Sequence, residues 1–158
     1  MLVEDRLRSL GLYLPEPPKV PVGITIPFAW VRLHSGRAYI SGHGPQARDG
    51  TIVGPFGRVG EQVTLDQAAE GARLATLSML ASLRQAIGDL DKIAAWLRVE
   101  GYVLAAPGFD RTTSVVNACS DLLLDLFGLE KGVHARTAMG VAATPLNWSV
   151  VVAAEVAL

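Results

Sequence analysis

Cysteine is almost absent: Cys119 stands alone, so no intramolecular disulfide can form, and a lone thiol suits a reducing compartment. A cytoplasmic location is therefore expected. An excess of either charge is also missing. Lys and Arg number 14 against 15 Asp and Glu, a net charge of -1, which leaves no basic surplus to neutralise a phosphate backbone. Nucleic acid is not an expected partner. Long apolar runs are missing from the start of the chain, where charges interrupt MLVEDRLRSLGLYLPEPP, so neither a signal-peptide core nor a membrane span can be drawn there. Ser149 to Leu158 is apolar but too short to cross a bilayer, and no membrane association is expected. No internal repeat and no low-complexity segment is found.

What is present is a chain of 158 residues, 50% apolar and only 18% charged. That length suits one domain spanning 1–158 with a single core, and the sparse charge suggests that some apolar surface enters an oligomer interface. Residues 1–22 form an annex. Val3 to Leu10 have helix-forming composition and stop at Gly11, ahead of the stiff Pro15-Glu16-Pro17-Pro18 segment, which predicts a short helix followed by an extended arm.

Ile24 to Leu33 and Arg37 to Ser41 are rich in β-branched and aromatic residues around Ser35-Gly36, the pattern of a β-hairpin. Gly42 to Gly60 is crowded with glycine and proline and reads as a loop region. Thr64 and Gln67 resemble a capping box, and Leu65, Ala68, Ala72, Ala75, Met79, Leu83 and Ile87 form one helical stripe ending at Gly88. Ile93 to Leu104 alternates, with Ala95, Leu97, Val99 and Val103 expected on one side and Trp96, Arg98, Glu100 and Tyr102 on the other. Thr112 to Phe127 has helical spacing and a stop at Gly128. Ala135 to Ala143 and Trp148 to Ala157 read as strands, the second so apolar that both of its faces need cover. The order β-β-α-β-α-β-β predicts an α+β sheet with two helices on one face, and another copy of the chain to cover the other.

Read in order, LGLYLPEPPKVPVG, YISGHGP, GRVGEQVTLDQAAEGARLATLSML, VVNACSDLLLDLFG and HARTAMGVAATPL resemble the Rid/YjgF family of reactive-intermediate deaminases, also labelled L-PSP endoribonuclease-like. The resemblance is to the subgroup with an N-terminal LPEPP arm and covers essentially the whole chain. It implies a chorismate-mutase-like fold, a homotrimer with a central barrel core, and clefts between neighbouring subunits. Active members convert enamines and imines, such as 2-aminoacrylate, into a keto acid and ammonia. A 2-iminobutanoate/2-iminopropanoate deaminase-like hydrolase is thus one expectation for this chain, with a small carboxylate-bearing ligand.

On the family's motif, Arg136 falls at the arginine that grips the substrate carboxylate, and the planar guanidinium fork suits that task. From the residues alone, an arginine at the start of a strand is usually a solvated or ion-paired side chain. Ser41 and Gly42 match the family's S-G after the second strand. Phe28 aligns with a tyrosine of many deaminase members but lacks its hydroxyl. Asn117 belongs to the N-x-x-S-D-L helix motif and either faces the cleft or tethers a loop. The glutamate associated with the hydrolytic water falls on Val151, and the next acidic position on Ala153. Glu155 shares their facing but lies about 13 Å beyond Val151.

Cys119 reads as a packed small side chain, His34 as a surface residue, and the roles of His43 and His134 stay open. The histidines lack metal-ligand spacing, and Gly54 to Gly60 is neither a dinucleotide nor a P-loop motif, so no metal and no cofactor are expected. Because Val151 lacks a carboxylate, the competing expectation is a non-catalytic binding or regulatory module for small carboxylates. An endoribonuclease ranks last, since no basic-aromatic stripe is present.

Overall fold

Thr64 starts the longest helix for a reason visible in its hydrogen bonds. Its hydroxyl accepts from the Gln67 amide at 3.2 Å, and the Gln67 side chain accepts from the Thr64 amide at 2.9 Å, so two otherwise orphaned N–H groups are satisfied. The helix, α2 (Leu65–Ile87), ends at Gly88, whose φ of 83° needs no Cβ and whose N–H reaches Arg84. The expected stripe is buried from Ala68 to Ile87. Its alanines let the helix lie close on the sheet.

The computed structural model describes residues 2–158. Besides α2 it contains α1 (Leu2–Ser9), α3 (Thr112–Gly132), and the strands β1 (Val31–His34), β2 (Arg37–His43), β3 (Ala95–Leu104), β4 (Ala135–Val141) and β5 (Val150–Ala157). They form one five-stranded sheet in the order β1-β2-β5-β3-β4, antiparallel except for the β3–β4 pair. Helices α2 and α3 pack together and cover one face, which is the expected α+β arrangement.

Three expectations need correction. The first strand runs only from Val31 to His34, because Pro27 has no N–H to give a ladder and the preceding residues continue the arm. In β3 a register shift between Trp96 and Arg98 inserts an extra residue, so Trp96 falls on the covered face with Val99 and packs edge-on against Phe127 at 5.4 Å. Gly128, at φ 73°, breaks α3, but a further turn follows it before Gly132. In β5, Val150, Val152, Ala154 and Val156 are buried under the helices, while Val151, Ala153 and Glu155 line the other, open face, for which this chain was expected to have no cover of its own.

That open face is more polar than an apolar strand led us to expect. Arg32, Tyr39, Ser41, Arg98, Glu100 and Glu155 surround a concavity of about 300 Å³ on it. Arg98 bonds Glu100 and Thr137, and Arg37 pairs with Glu155 at 2.7 Å.

The N-terminal annex is tied down at both ends. Asp91 accepts from the Leu2 and Val3 amides at the start of α1, and Arg6 donates to the Leu126 carbonyl at 2.7 Å. The arm beyond Gly11 is held where Glu16 N–H meets the Arg48 carbonyl and Arg48 stacks over Tyr13. Among the described residues no helix is long and apolar enough to cross a membrane.

Candidate functional site

The bulge in β2 is the first element of the site. Between Ile40, opposite Ala154, and His43, opposite Val152, two residues of β2 face one of β5, and those two are Ser41 and Gly42. Ser41 binds the segment before β1: its N–H donates to the Trp30 carbonyl at 3.0 Å and its hydroxyl to the Ala29 carbonyl at 2.7 Å. Phe28, half exposed, stands edge-on to Trp30 at 5.2 Å, and Trp30 in turn lies against His43. A Cβ on Gly42 would come within 3.0 Å of Val151 Cγ1. The absent side chain keeps this point open.

Arg136 is elsewhere. It stands on the edge strand β4, half-buried, and its Nη1 donates to Ser120 Oγ on α3 at 2.9 Å. His134 fixes the same hydroxyl. Its Nδ1–H donates to the Gly132 carbonyl at 2.7 Å, which in the neutral ring leaves Nε2 to accept from Ser120 at 2.9 Å. Ser120 Oγ is then free to accept from Arg136 Nη1. Among the described residues no carboxylate pairs with Arg136. Asn117 is exposed one helical turn before Ser120 on α3.

The expected site residues thus fall into two groups. Strands β5 and β3 lie between β2 and β4, so the Ser41-Gly42 bulge and Arg136 are separated by roughly 14 Å across the sheet. They also differ in facing, because Ser41 lines the open-face concavity whereas Arg136 reaches a helix on the covered side. One protomer does not bring them into a common cavity.

Between the groups, the residues expected to lack carboxylates have informative neighbours. Val151 is directly across from Tyr102, and Ala153 from Glu100. The Tyr102 hydroxyl donates to Glu100 at 2.9 Å. Hydrogen bonds from Arg98 first and Tyr102 second hold the Glu100 carboxyl below its usual range, and the same bond to Glu100 raises the Tyr102 phenol. This pair was not singled out from the sequence, where both residues look like the solvated side of an alternating strand. Ser120 was missed as well, although its place three residues after Asn117 puts the two on one helix face.

Two further titratable groups, Cys119 and His43, are buried and structural. Burial pushes the Cys119 thiol up to about 11, so it is no nucleophile at neutral pH. Burial pulls His43 down to about 4, with both ring nitrogens occupied by the Ser41 carbonyl and the Ser82 hydroxyl. His34 is exposed. Among the described residues no group of three or more His, Cys, Asp or Glu could hold a metal ion.

The structure defines an α+β protein with one open sheet face and an arginine at a sheet edge that pairs with no carboxylate among the described residues. The chain belongs to the family described as "YjgF/chorismate_mutase-like, putative endoribonuclease", which it matches over residues 4–156. Protein TCP17 of Trypanosoma cruzi is 31% identical over 157 residues, 99% of this chain and 94% of that protein. Among solved structures, Atu1372 of Agrobacterium tumefaciens, of unknown function, superposes with a TM-score of 0.87 at 32% identity, over 99% of this chain and 92% of that one. A "putative endoribonuclease" from Shewanella oneidensis MR-1 gives 0.88 at 30% identity with both chains fully covered. Escherichia coli TdcF with bound serine shares the fold at 13% identity, with a TM-score of 0.60, over 92% of this chain and 95% of that one.

Proposed function

We propose that the chain is a homotrimeric hydrolase of small imino or enamino acids, with Arg136 of one copy holding the substrate carboxylate beside the Ser41-Gly42 bulge of the next. The observation that carries this reading is the half-buried guanidinium of Arg136, held by a neutral hydroxyl and without a carboxylate among the described residues. A cation in that setting favours an anionic ligand, and the fork geometry favours a carboxylate. The division of the expected residues between β2 and the edge strand β4, on opposite faces of the sheet, supports a site completed by a second copy. The serine bound by TdcF, a small amino acid with a carboxylate, belongs to the same chemical class of ligand.

In the reaction, water adds to the imine carbon of R–C(=NH)–COO⁻, the C–N bond breaks, and R–CO–COO⁻ and ammonia leave. Arg136 fixes the carboxylate and offsets its charge while the carbon is attacked. No acid side chain stands at Val151, so the water is oriented by the Tyr102–Glu100 pair across the strand. The depressed Glu100 carboxyl is an acceptor that stays ionised at neutral pH and is suited to positioning more than to strong general-base work.

Ammonia and keto-acid release from freshly generated imino acids tests this. The wild-type chain accelerates release over buffer, Arg136→Ala loses all of it, and Glu100→Gln loses about tenfold or more. The second reading, a carboxylate-binding module without catalysis, is favoured by the apolar residues at 151 and 153. It predicts calorimetric binding of small keto acids that Arg136→Ala abolishes, with no acceleration of any imine.

A further inference from the structure

Where β2 turns away and β5 begins, the arm, the loop after β2 and the turn before β5 enclose a cavity of about 290 Å³. Its walls include Ile24 and Ile26 of the arm, Trp30, Ile52, Leu146 and Trp148. The hydrogen-bonding side chains of two of its residues are committed elsewhere. Both His43 nitrogens are used, and Trp148 Nε1 donates to the Val53 carbonyl at 2.9 Å. An apolar cavity of roughly 150 Å³ already holds benzene, so this one has room for a branched or aromatic group; Lys19 and Gln46, whose buried Oε1 has no partner among the described residues, are the other polar residues of its lining.

The cavity is joined to the site already described. Gly42, the bulge residue, lines it, and the Gly42 position faces Val151, so the junction between the two is a missing side chain beside an apolar one. Gly44 also has to be glycine, because a Cβ there would fall 2.3 Å from the Trp148 ring. The indole occupies that space and walls the cavity.

We propose that this cavity is the side-chain subsite of the carboxylate site, and that its occupant is the branched or aromatic apolar side chain of a small 2-imino or 2-keto acid. The inference rests on the reading of Arg136 given above. Val151 then has a positive role, as an apolar surface where the substrate's side chain leaves the reacting carbon.

Calorimetric titration with pyruvate, 4-methyl-2-oxopentanoate and phenylpyruvate separates the possibilities, using wild type, Ile24→Trp and Arg136→Ala. Ile24 lines the cavity yet is exposed, so its replacement does not endanger folding, and the larger indole is expected to take up cavity space. In wild type the two apolar acids bind at least about tenfold tighter than pyruvate, and in Ile24→Trp that ratio falls to within about twofold. Equal affinities in wild type, all lost in Arg136→Ala, overturn the subsite while leaving the arginine site standing; a cavity already filled by a neighbouring copy gives this result. Tight binding of the apolar acids that Ile24→Trp removes and Arg136→Ala does not supports the cavity and overturns the role of Arg136. Absence of binding by all three acids overturns both.

Discussion

Arg136 and His43 show how differently two polar side chains in one small protein are treated. The Arg136 guanidinium is oriented by one neutral hydroxyl, and no carboxylate among the described residues pairs with it. His134 acts on it at one remove, by fixing which way the Ser120 hydroxyl points. His43 is instead kept neutral by burial, between two acceptor-capable oxygens under α2. Its folded-state value of about 4 lies below the ordinary 6.5, so the unfolded chain binds the proton more readily across that interval. Stability contributed by the neutral ring is complete above pH 6.5 and is lost as pH falls towards 4. Urea unfolding at pH 7 and pH 5 is expected to differ by about 2 kcal/mol from this group. The difference disappears in His43→Gln; a wild-type stability that is flat over this range contradicts the assignment. From the sequence His43 was undecided, since loop position says nothing about burial. Cys119 was legible as a packed thiol because the helical spacing around it was strong.

Within single helices and strands the local signals are legible in the sequence, whereas signals that need two paired strands are not. The capping box at Thr64 and the stop at Gly88 are each written within a few residues, and the structure places them as expected. The bulges at Ser41-Gly42 and after Trp96 depend on the partner strand, and no single-strand period reports them. One bulge moved Trp96 into the core; the other carries two of the expected site residues. Tyr102 and Glu100 gained meaning for the same reason, once β5 placed Val151 and Ala153 opposite them. Gly101, between them, faces the covered side and sets how closely α3 approaches. A Cβ there would fall 2.4 Å from Val116 Cγ2 and 2.6 Å from Cγ1, and a β-branched side chain has little freedom to turn aside. Gly101→Ala is therefore expected to cost about 1–3 kcal/mol in denaturant unfolding, with part of the loss recovered in combination with Val116→Ala. An unchanged midpoint in the single variant means that α3 has more room over β3 than the structure gives it.

For the whole molecule, the central question is why one sheet face is left open and the expected site residues are divided between β2 and the edge strand β4, with β5 and β3 between them. The covered face is fully provided for by α2 and α3, while the open face collects Arg32, Arg98, Glu100 and Glu155 about a concavity with no layer above it. A second copy resolves both features if the β4 edge of one protomer, bearing Arg136, meets the β2 bulge of the next. In a closed ring each copy gives its arginine to one neighbour and its bulge to the other. That geometry has a consequence which a site within one protomer does not share. Arg136→Ala removes the first half of the site, and Gly42→Val, which crowds Val151, removes the second. Each variant alone is expected to lack carboxylate binding. When the two are unfolded, mixed in equal amounts and refolded together, random assembly of a ring places an intact arginine against an intact bulge at about a quarter of the interfaces. Calorimetric titration of the mixture with a small keto acid should therefore recover about a quarter of the wild-type site number at wild-type affinity. A mixture that stays silent, while sedimentation shows the same oligomer as wild type, places both halves of the site within one chain.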